Sequence, residues 1–196
     1  MTLQRILIIQ GHPDPAGGHL GHALADAYAE GARAAGRETR TVDVARLDFP
    51  LLRTQRDWED GEIPASLQGA QADIAWAQHL ALFFPLWMGD MPALLKAFLE
   101  QVARPGFALR RKEGGGFAGG ALGGRSARVI VTMGMPALVY RYYFRAHSVR
   151  SLERSILGLA GVAPVHETLI GSVESLGEAG VAKWKAKLRK LGAGGG

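Results

Sequence analysis

Apolar positions follow two rhythms along this chain. Residues 5–10, Arg-Ile-Leu-Ile-Ile-Gln, form a short unbroken apolar run closed by Gly11. A run of that length suits a strand covered on both faces. From 19 to 35 the rhythm becomes helical. Leu20, Ala23, Leu24, Ala27 and Tyr28 share one face, and Gly36 stops the pattern. β-Branched residues over 39–44 predict a second strand. Residues 48–64 are polar with no clear period, which predicts a loop. A helix is expected over 66–76 and a third buried strand, His-Leu-Ala-Leu-Phe-Phe, over 79–84. Asp90 is placed to cap the next helix, with Pro92 in its first turn. Leu94, Leu95, Phe98, Leu99 and Val102 make its apolar stripe. Strands over 128–132 and 165–170 flank a helix from about 149 to 159, which ends near Gly161. Ser175 and Glu178 have capping-box spacing for a last helix lined by Val181, Trp184, Leu188 and Leu191. Residues 192–196 are expected to fray as a flexible tail.

Strand and helix alternate five times, which predicts an α/β fold with a five-stranded parallel sheet and helices on both faces. The expected strand order is 2-1-3-4-5, in one domain over 1–191. Such a sheet binds ligands beyond the carboxyl ends of its strands, at the topological switch point. The composition fits a soluble domain: 47% of the 196 residues are hydrophobic and 21% charged. The longest apolar run, 80–89, is broken by Pro85 and is about half a membrane span, so no membrane insertion is expected. The first residues lack the layout of a signal peptide, and a cytoplasmic location is expected. There is no cysteine, which removes disulfides, thiolate metal sites and a cysteine nucleophile. The net charge of +5 comes from scattered residues, apart from clusters at 110–112 and 183–190. A phosphate-bearing cofactor would feel that charge; nucleic acid is not the expected partner. Residues 113–126 are glycine-rich and read as a flexible loop or as a mobile flap near a ligand. No P-loop pattern occurs.

Candidate chemistry lies in three strand-end loops. The first, residues 11–19, joins a strand to a helix N-terminus, where N–H groups and the helix dipole suit an anion. His12 and His19 belong to it, Leu20 follows it as a further candidate, and Gly17 and Gly18 allow close approach of backbone to a phosphate. An ordinary turn is the other reading. The second holds Pro85, Leu86, Trp87, Met88 and Gly89. A tryptophan there needs a packing partner, either a planar ring ligand or the end of the core. The third, Thr132, Met133, Gly134 and Met135, offers a hydroxyl and two sulfur side chains to one end of a heteroaromatic ring, or is a plain strand-end turn.

These residues carry a family resemblance. Gly11-His12-Pro13-Asp14-Pro15, then Phe84-Pro85-Leu86-Trp87 with Met91-Pro92-Ala93-Leu94-Leu95-Lys96, then Pro105-Gly106-Phe107-Ala108, resemble the NAD(P)H:quinone oxidoreductases of the flavodoxin-like fold. The order is kept over nearly the whole chain. The resemblance implies a non-covalent flavin, FMN or FAD, with NAD(P)H as electron donor and a quinone or similar acceptor. It implies a ping-pong exchange and a homodimer whose sites are lined by both subunits. It also places Tyr140 and His147 near a Tyr and a His that assist hydride transfer in relatives. His147 could instead be a helix-start histidine bonding to backbone, and the run 140–145 a dimer contact or a surface for nucleic acid. Two features depart from the family pattern. A serine near Gly18 and an asparagine near Gly21 are missing, and the usual Thr-Thr-Gly-Gly reads Thr132-Met133-Gly134-Met135. A one-electron carrier, or a regulatory subunit of a potassium-efflux system, are the rival readings within the fold. Such carriers are usually acidic, and this chain is basic.

Overall fold

The chain alternates strand and helix as the hydrophobic pattern requires. In the computed structural model, residues 4–114 and 116–195 are described. They run β1 (Arg5–Gln10), α1 (Leu20–Ala34), β2 (Glu38–Asp43), α2 (Gln55–Glu59), α3 (Ala65–Trp76), β3 (His79–Pro85) and α4 (Ala93–Val102). Then follow a small pair, β4 (Arg110–Arg111) and β5 (Phe117–Ala118), and β6 (Ser126–Thr132), α5 (Ala137–Tyr142), α6 (His147–Ser151), β7 (Val165–Ile170) and α7 (Gly177–Gly194). The main sheet is parallel throughout, in the order β2-β1-β3-β6-β7. Numbered among themselves, those strands have the expected order 2-1-3-4-5.

Side chains leave a strand alternately to its two faces, and the core divides accordingly. Leu7, Ile9, Leu82, Phe84, Val129 and Val131 pack with α3 and α4. Ile6, Ile8, Phe83 and Ile130 pack with α1 and α7. The central strands are therefore apolar on both faces, whereas the edge strands β2 and β7 carry Glu38, Arg40, His166 and Glu167. The two helices of the second layer approach closely. A Cβ on Gly31 would overlap the backbone of Arg189, and one on Gly192 would overlap that of Tyr28.

Several local expectations are corrected. Residues 48–64 are not all loop: Thr54 accepts the Asp57 N–H (3.0 Å) and starts α2. Asp90 does not cap α4, which begins after Pro92. The helix expected from about 149 starts earlier, as α5 and α6, and continues through a wider π-helical turn over Leu152–Gly158. Ser175 forms no capping box; its hydroxyl donates to the Ser172 carbonyl (2.9 Å).

The expected frayed tail is helix as far as Gly194. Gln4 Nε2 donates to the Gly195 carbonyl (2.8 Å), and Arg37 donates to that of Ala193 (2.8 and 3.1 Å). Gly196 lies outside the described residues. In the glycine-rich stretch, where Gly115 is not described, β4 and β5 pair. The Gly120 and Leu122 N–H groups donate to the carbonyls of Leu159 (2.9 Å) and Ala160 (2.8 Å). That anchors the stretch beside the chain entering the amino end of β7, away from the three ligand-facing loops. No helix among the described residues is long and apolar enough to cross a membrane.

Candidate functional site

Sheet register brings the three loops together. Gln10 of β1 is level with Phe83 of β3, and Pro85 is level with Thr132 of β6. The ladder continues just past the strands: Gly11 N–H donates to the Phe83 carbonyl (2.7 Å), and Leu86 N–H to that of Thr132 (2.8 Å). The chain leaves β1 toward β2 and leaves β3 toward β6, so a crevice opens between the β1 and β3 loops.

The first loop is built around imidazoles. His12 is buried at the mouth of β1, and its Nδ1 accepts the Asp14 N–H (3.1 Å), which leaves the proton of the neutral ring on Nε2. Its ring stacks on His19 with centroids 3.9 Å apart and tilts toward His22 at 5.4 Å. Burial, followed by the fields of His19 and His22, holds the His12 pKa below its usual range. The exposed carboxylate of Asp14 bonds His19 Nε2 (2.7 Å) and accepts the Ala16 N–H (2.9 Å); both contacts hold its pKa down. Gly17 and Gly18 have φ of +70° and +78°, and nothing lies within 4 Å of where a Gly18 Cβ would be. Leu20 then opens α1, whose first turn has no acidic residue.

The second loop faces the first across the crevice. Trp87 meets His12 edge-on at 5.8 Å and is half exposed. Trp87 and Asp90 exchange both backbone hydrogen bonds (2.8 and 2.9 Å) around Met88 and Gly89, which have φ of +49° and +83°. This is a tight two-residue turn of the primed kind. It holds Met88, a non-glycine residue, in left-handed backbone with its side chain fully exposed. Pro85 ends β3, and Leu86 packs back on the core.

In the third loop only part of the expected surface survives. Met133 turns into the core at 3% exposure, and its backbone N–H and carbonyl are engaged by the Ile170 carbonyl (2.9 Å) and the Val173 N–H (3.2 Å). Thr132 and Met135 remain half-buried, and Gly134 is exposed near Glu174.

Tyr140 and His147 differ in access. Tyr140 is completely buried; its hydroxyl accepts the Val149 N–H (3.4 Å), and burial raises its pKa. His147 is exposed, with Nδ1 on the Phe144 carbonyl (3.1 Å). Its Nε2 edge lies 3.8 Å from where a Gly89 Cβ would be, so it stands over the second loop. The two rings are 6.3 Å apart.

Other residues at the site went unread in the sequence. Gln10 Nε2 and both ring nitrogens of His22 are buried without a hydrogen-bond partner among the described residues. Their signal was the crowding of three of the chain's six histidines between 12 and 22. Asp90 accepts from the Ser148 hydroxyl and the Met91 N–H, tying the second loop to α6. Nothing in sequence marks that pair.

The open glycine backbone, the helix start free of acid and the orphaned nitrogens suit a phosphate. The half-exposed Trp87 and the turn beside it suit a flat ring. The family described as a flavodoxin-like fold matches residues 4–191. This chain belongs to the flavodoxin-like family. Curated relatives are similar at modest identity. A ribosyldihydronicotinamide dehydrogenase-like protein of Penicillium crustosum is 28% identical over 66% of this chain and 57% of its own length. The chain thus spans little more than half of that relative. An uncharacterized NAD(P)H oxidoreductase of Haemophilus influenzae is 25% identical over 94% of this chain and 96% of its own. Among solved structures, an NAD(P)H:quinone oxidoreductase of Methanothermobacter marburgensis superposes with a TM-score of 0.78 at 23% identity, covering 98% of this chain and 96% of that one. At that identity the superposition speaks for the fold.

Proposed function

We propose that the chain is a cytoplasmic, flavin-dependent NAD(P)H oxidoreductase of the quinone-reductase kind, working as a homodimer. The observation that carries this reading is the switch-point crevice. An anion-suited loop stands on one side, the exposed Trp87 on the other, and His147 leans over its rim. The names of the relatives and the quoted motifs point the same way.

A bound flavin, FMN or FAD, would supply the redox chemistry, taking hydride from NAD(P)H and passing it on to a quinone or similar acceptor in ping-pong fashion. The protein's part is position and electrostatics. His12, Gly17, Gly18, His19 and Leu20 hold the phosphate end. Pro85, Leu86, Trp87, Met88 and Gly89 line one side of the ring, and Thr132, Met133, Gly134 and Met135 line its other end. The backbone N–H groups of Met88, Gly89 and Gly134 would face negative charge on the ring, those of Leu86, Trp87 and Met133 being bonded to carbonyls. The Phe144 carbonyl accepts the Nδ1–H of His147, which leaves the lone pair of the neutral ring on Nε2, so that atom accepts a hydrogen bond from a hydroxyl of the reduced acceptor. Tyr140 acts as a positioning residue, tying α5 to α6 through Val149.

The test is uptake of FMN or FAD by the purified chain, followed by NADH or NADPH added without air. Direct bleaching of the bound flavin, and its recovery on adding a quinone, is the expected result. A chain that takes up neither flavin overturns the reading. Flavin bleached only by a separate reductase would make it an electron carrier. His147→Gln is expected to lower kcat with the acceptor roughly 100–10,000-fold, the scale for losing a proton-handling group.

A further inference from the structure

The first loop is charged wrongly for a phosphate unless its imidazoles take up protons. The groups facing them are Asp14 from the same loop, and Asp43 and Arg46 from the end of β2 and the turn that follows. Arg46 pairs with Asp43 (3.0 Å) and reaches the Pro15 carbonyl (3.5 Å). The second loop faces them with the uncharged Trp87. With neutral histidines, two carboxylates stand against one guanidinium, a net negative charge before a dianion. The backbone offers the Leu20 and Gly21 N–H groups at the start of α1, since the first intrahelical bond comes from His22 N–H to the His19 carbonyl (3.0 Å).

Two further groups point into the same space. Gln10 is almost completely buried; its Oε1 accepts the His12 N–H (3.1 Å) and lies 4.0 Å from where a Gly21 Cβ would be, while its Nε2 has no partner. His22 has two buried ring nitrogens with no partner, and its Cδ2 lies 4.0 Å from a Gly17 Cβ position. A histidine with nothing to bond in the free chain is explained by a ligand that bonds it.

We propose that His12, His19 and His22 form, with Gln10 and the α1 N-terminus, a proton-coupled phosphate monoester site: the anion binds together with one or more protons taken up by His19 and His22, while His12, whose Nδ1 already accepts the Asp14 N–H, donates through Nε2. The proposal rests on the flavin reading and identifies its phosphate end. FMN is then held by charge that develops on binding, in place of the missing serine and asparagine, and its affinity rises as the solution becomes more acid. The sign is diagnostic. A flavin phosphate ionises fully only above about pH 6, so a site of fixed charge would bind it equally or more tightly at higher pH.

The experiment titrates the chain with FMN, riboflavin and inorganic phosphate between about pH 8 and about pH 6, the span over which histidine charges. Calorimetry in two buffers of different ionisation enthalpy counts the protons. FMN is expected to bind about tenfold or more tightly at the acid end, the effect of one proton taken up per unit of pH over part of that span. Net proton uptake should accompany it, and riboflavin binding should not change with pH. His22→Gln and His19→Gln should each reduce the FMN trend and leave riboflavin affinity unaltered. FMN affinity that is flat or falls toward acid, or FMN and riboflavin bound equally well, overturns the proposal while the flavin reading stands. If neither flavin binds but phosphate binds with proton uptake, the anion site stands and the flavin reading fails. If none of the three binds, both fail.

Discussion

Trp87 is where the residue scale is most informative. It is half exposed, and its one aromatic neighbour among the described residues is the edge of His12. If the indole serves a ligand and not the core, Trp87→Ala should weaken flavin binding by about 1–3 kcal/mol, the value of a lost aromatic contact with its burial. The melting temperature of the flavin-free chain should stay within about a degree, as for surface substitutions generally. A lowered melting temperature with unchanged flavin affinity would make Trp87 a core plug. Its neighbours show how far single residues can be read. The glycines and Trp87 were legible because their chemistry is unusual for a strand end. The inward turn of Met133 was not, because a thioether packs equally well inside or outside. His79 went unread because it sits inside an apolar strand. It is wholly buried, bonded to Tyr28 Oη (3.0 Å) and Ser126 Oγ (2.8 Å). Burial, with Arg128 and His166 nearby, pushes its pKa down to about 4, against about 6.5 when unfolded. Above that upper value neither state is protonated there. Between the two values the unfolded chain binds a proton that the folded chain refuses, so stability falls as the pH falls, by about 3 kcal/mol over the window. Chemical denaturation from about pH 7 to about pH 4 should show this slope, and His79→Gln should reduce it by roughly one proton. An identical slope in the variant would remove His79 from the account.

At the scale of elements, helix ends were misread for a consistent reason. Asp90, Ser175 and Glu178 are good capping residues by type. However, the side chain of Asp90 is taken by Ser148 and Met91, and that of Ser175 by the Ser172 carbonyl. Tertiary and turn contacts outbid the local rule, and sequence order cannot show a partner 58 residues away. Thr54 was the reverse case, a sound cap passed over because only five helical residues follow it. The glycines at the chain end read as a fraying signal, since glycine weakens an isolated helix. In the fold one of them, Gly192, lets α7 lie against α1. Gly192 is buried where a side chain would strike Tyr28, and Gly31 faces Arg189 in the same way. Gly192→Val and Gly31→Val should each destabilise the chain by about 1–3 kcal/mol, the range for overpacking a close contact. Gly194→Val is the control, because nothing lies within 4 Å of its Cβ position. Equal denaturation midpoints for the three variants would show that the close approach of the helices contributes little.

For the whole molecule, the pattern of apolar runs was enough for the sheet. Five strands, the central ones apolar on both faces, separated by helical stretches, leave few alternatives to a parallel three-layer arrangement, and its switch point is where a ligand site is expected. Assembly is a different matter, because nothing in a periodic pattern says which apolar surface another chain covers. The structure shows an uncovered one. Along α5 and the turn after it, Leu138, Tyr142 and Tyr143 are 68%, 74% and 79% exposed, with Val139 and Phe144 also open. An apolar group of this size beside a site is the kind of surface that partners cover. It adjoins His147, whose ring is fixed by the Phe144 carbonyl, so a second chain seated there would wall the crevice as well. On the homodimer reading, sedimentation should give twice the chain mass of 20.9 kDa at micromolar concentration. Tyr143→Glu sets a charge in the middle of the patch, where unpaired burial costs several kcal/mol. It should yield monomers with an unchanged melting temperature at low concentration, since Tyr143 contributes nothing to the core of one chain. Flavin affinity should hold, because the phosphate loop and Trp87 lie on other elements, while turnover with a quinone should fall as the crevice loses its wall. A native chain that sediments as a monomer contradicts the dimer outright. A Tyr143→Glu variant that stays dimeric would show that the chains meet through another face.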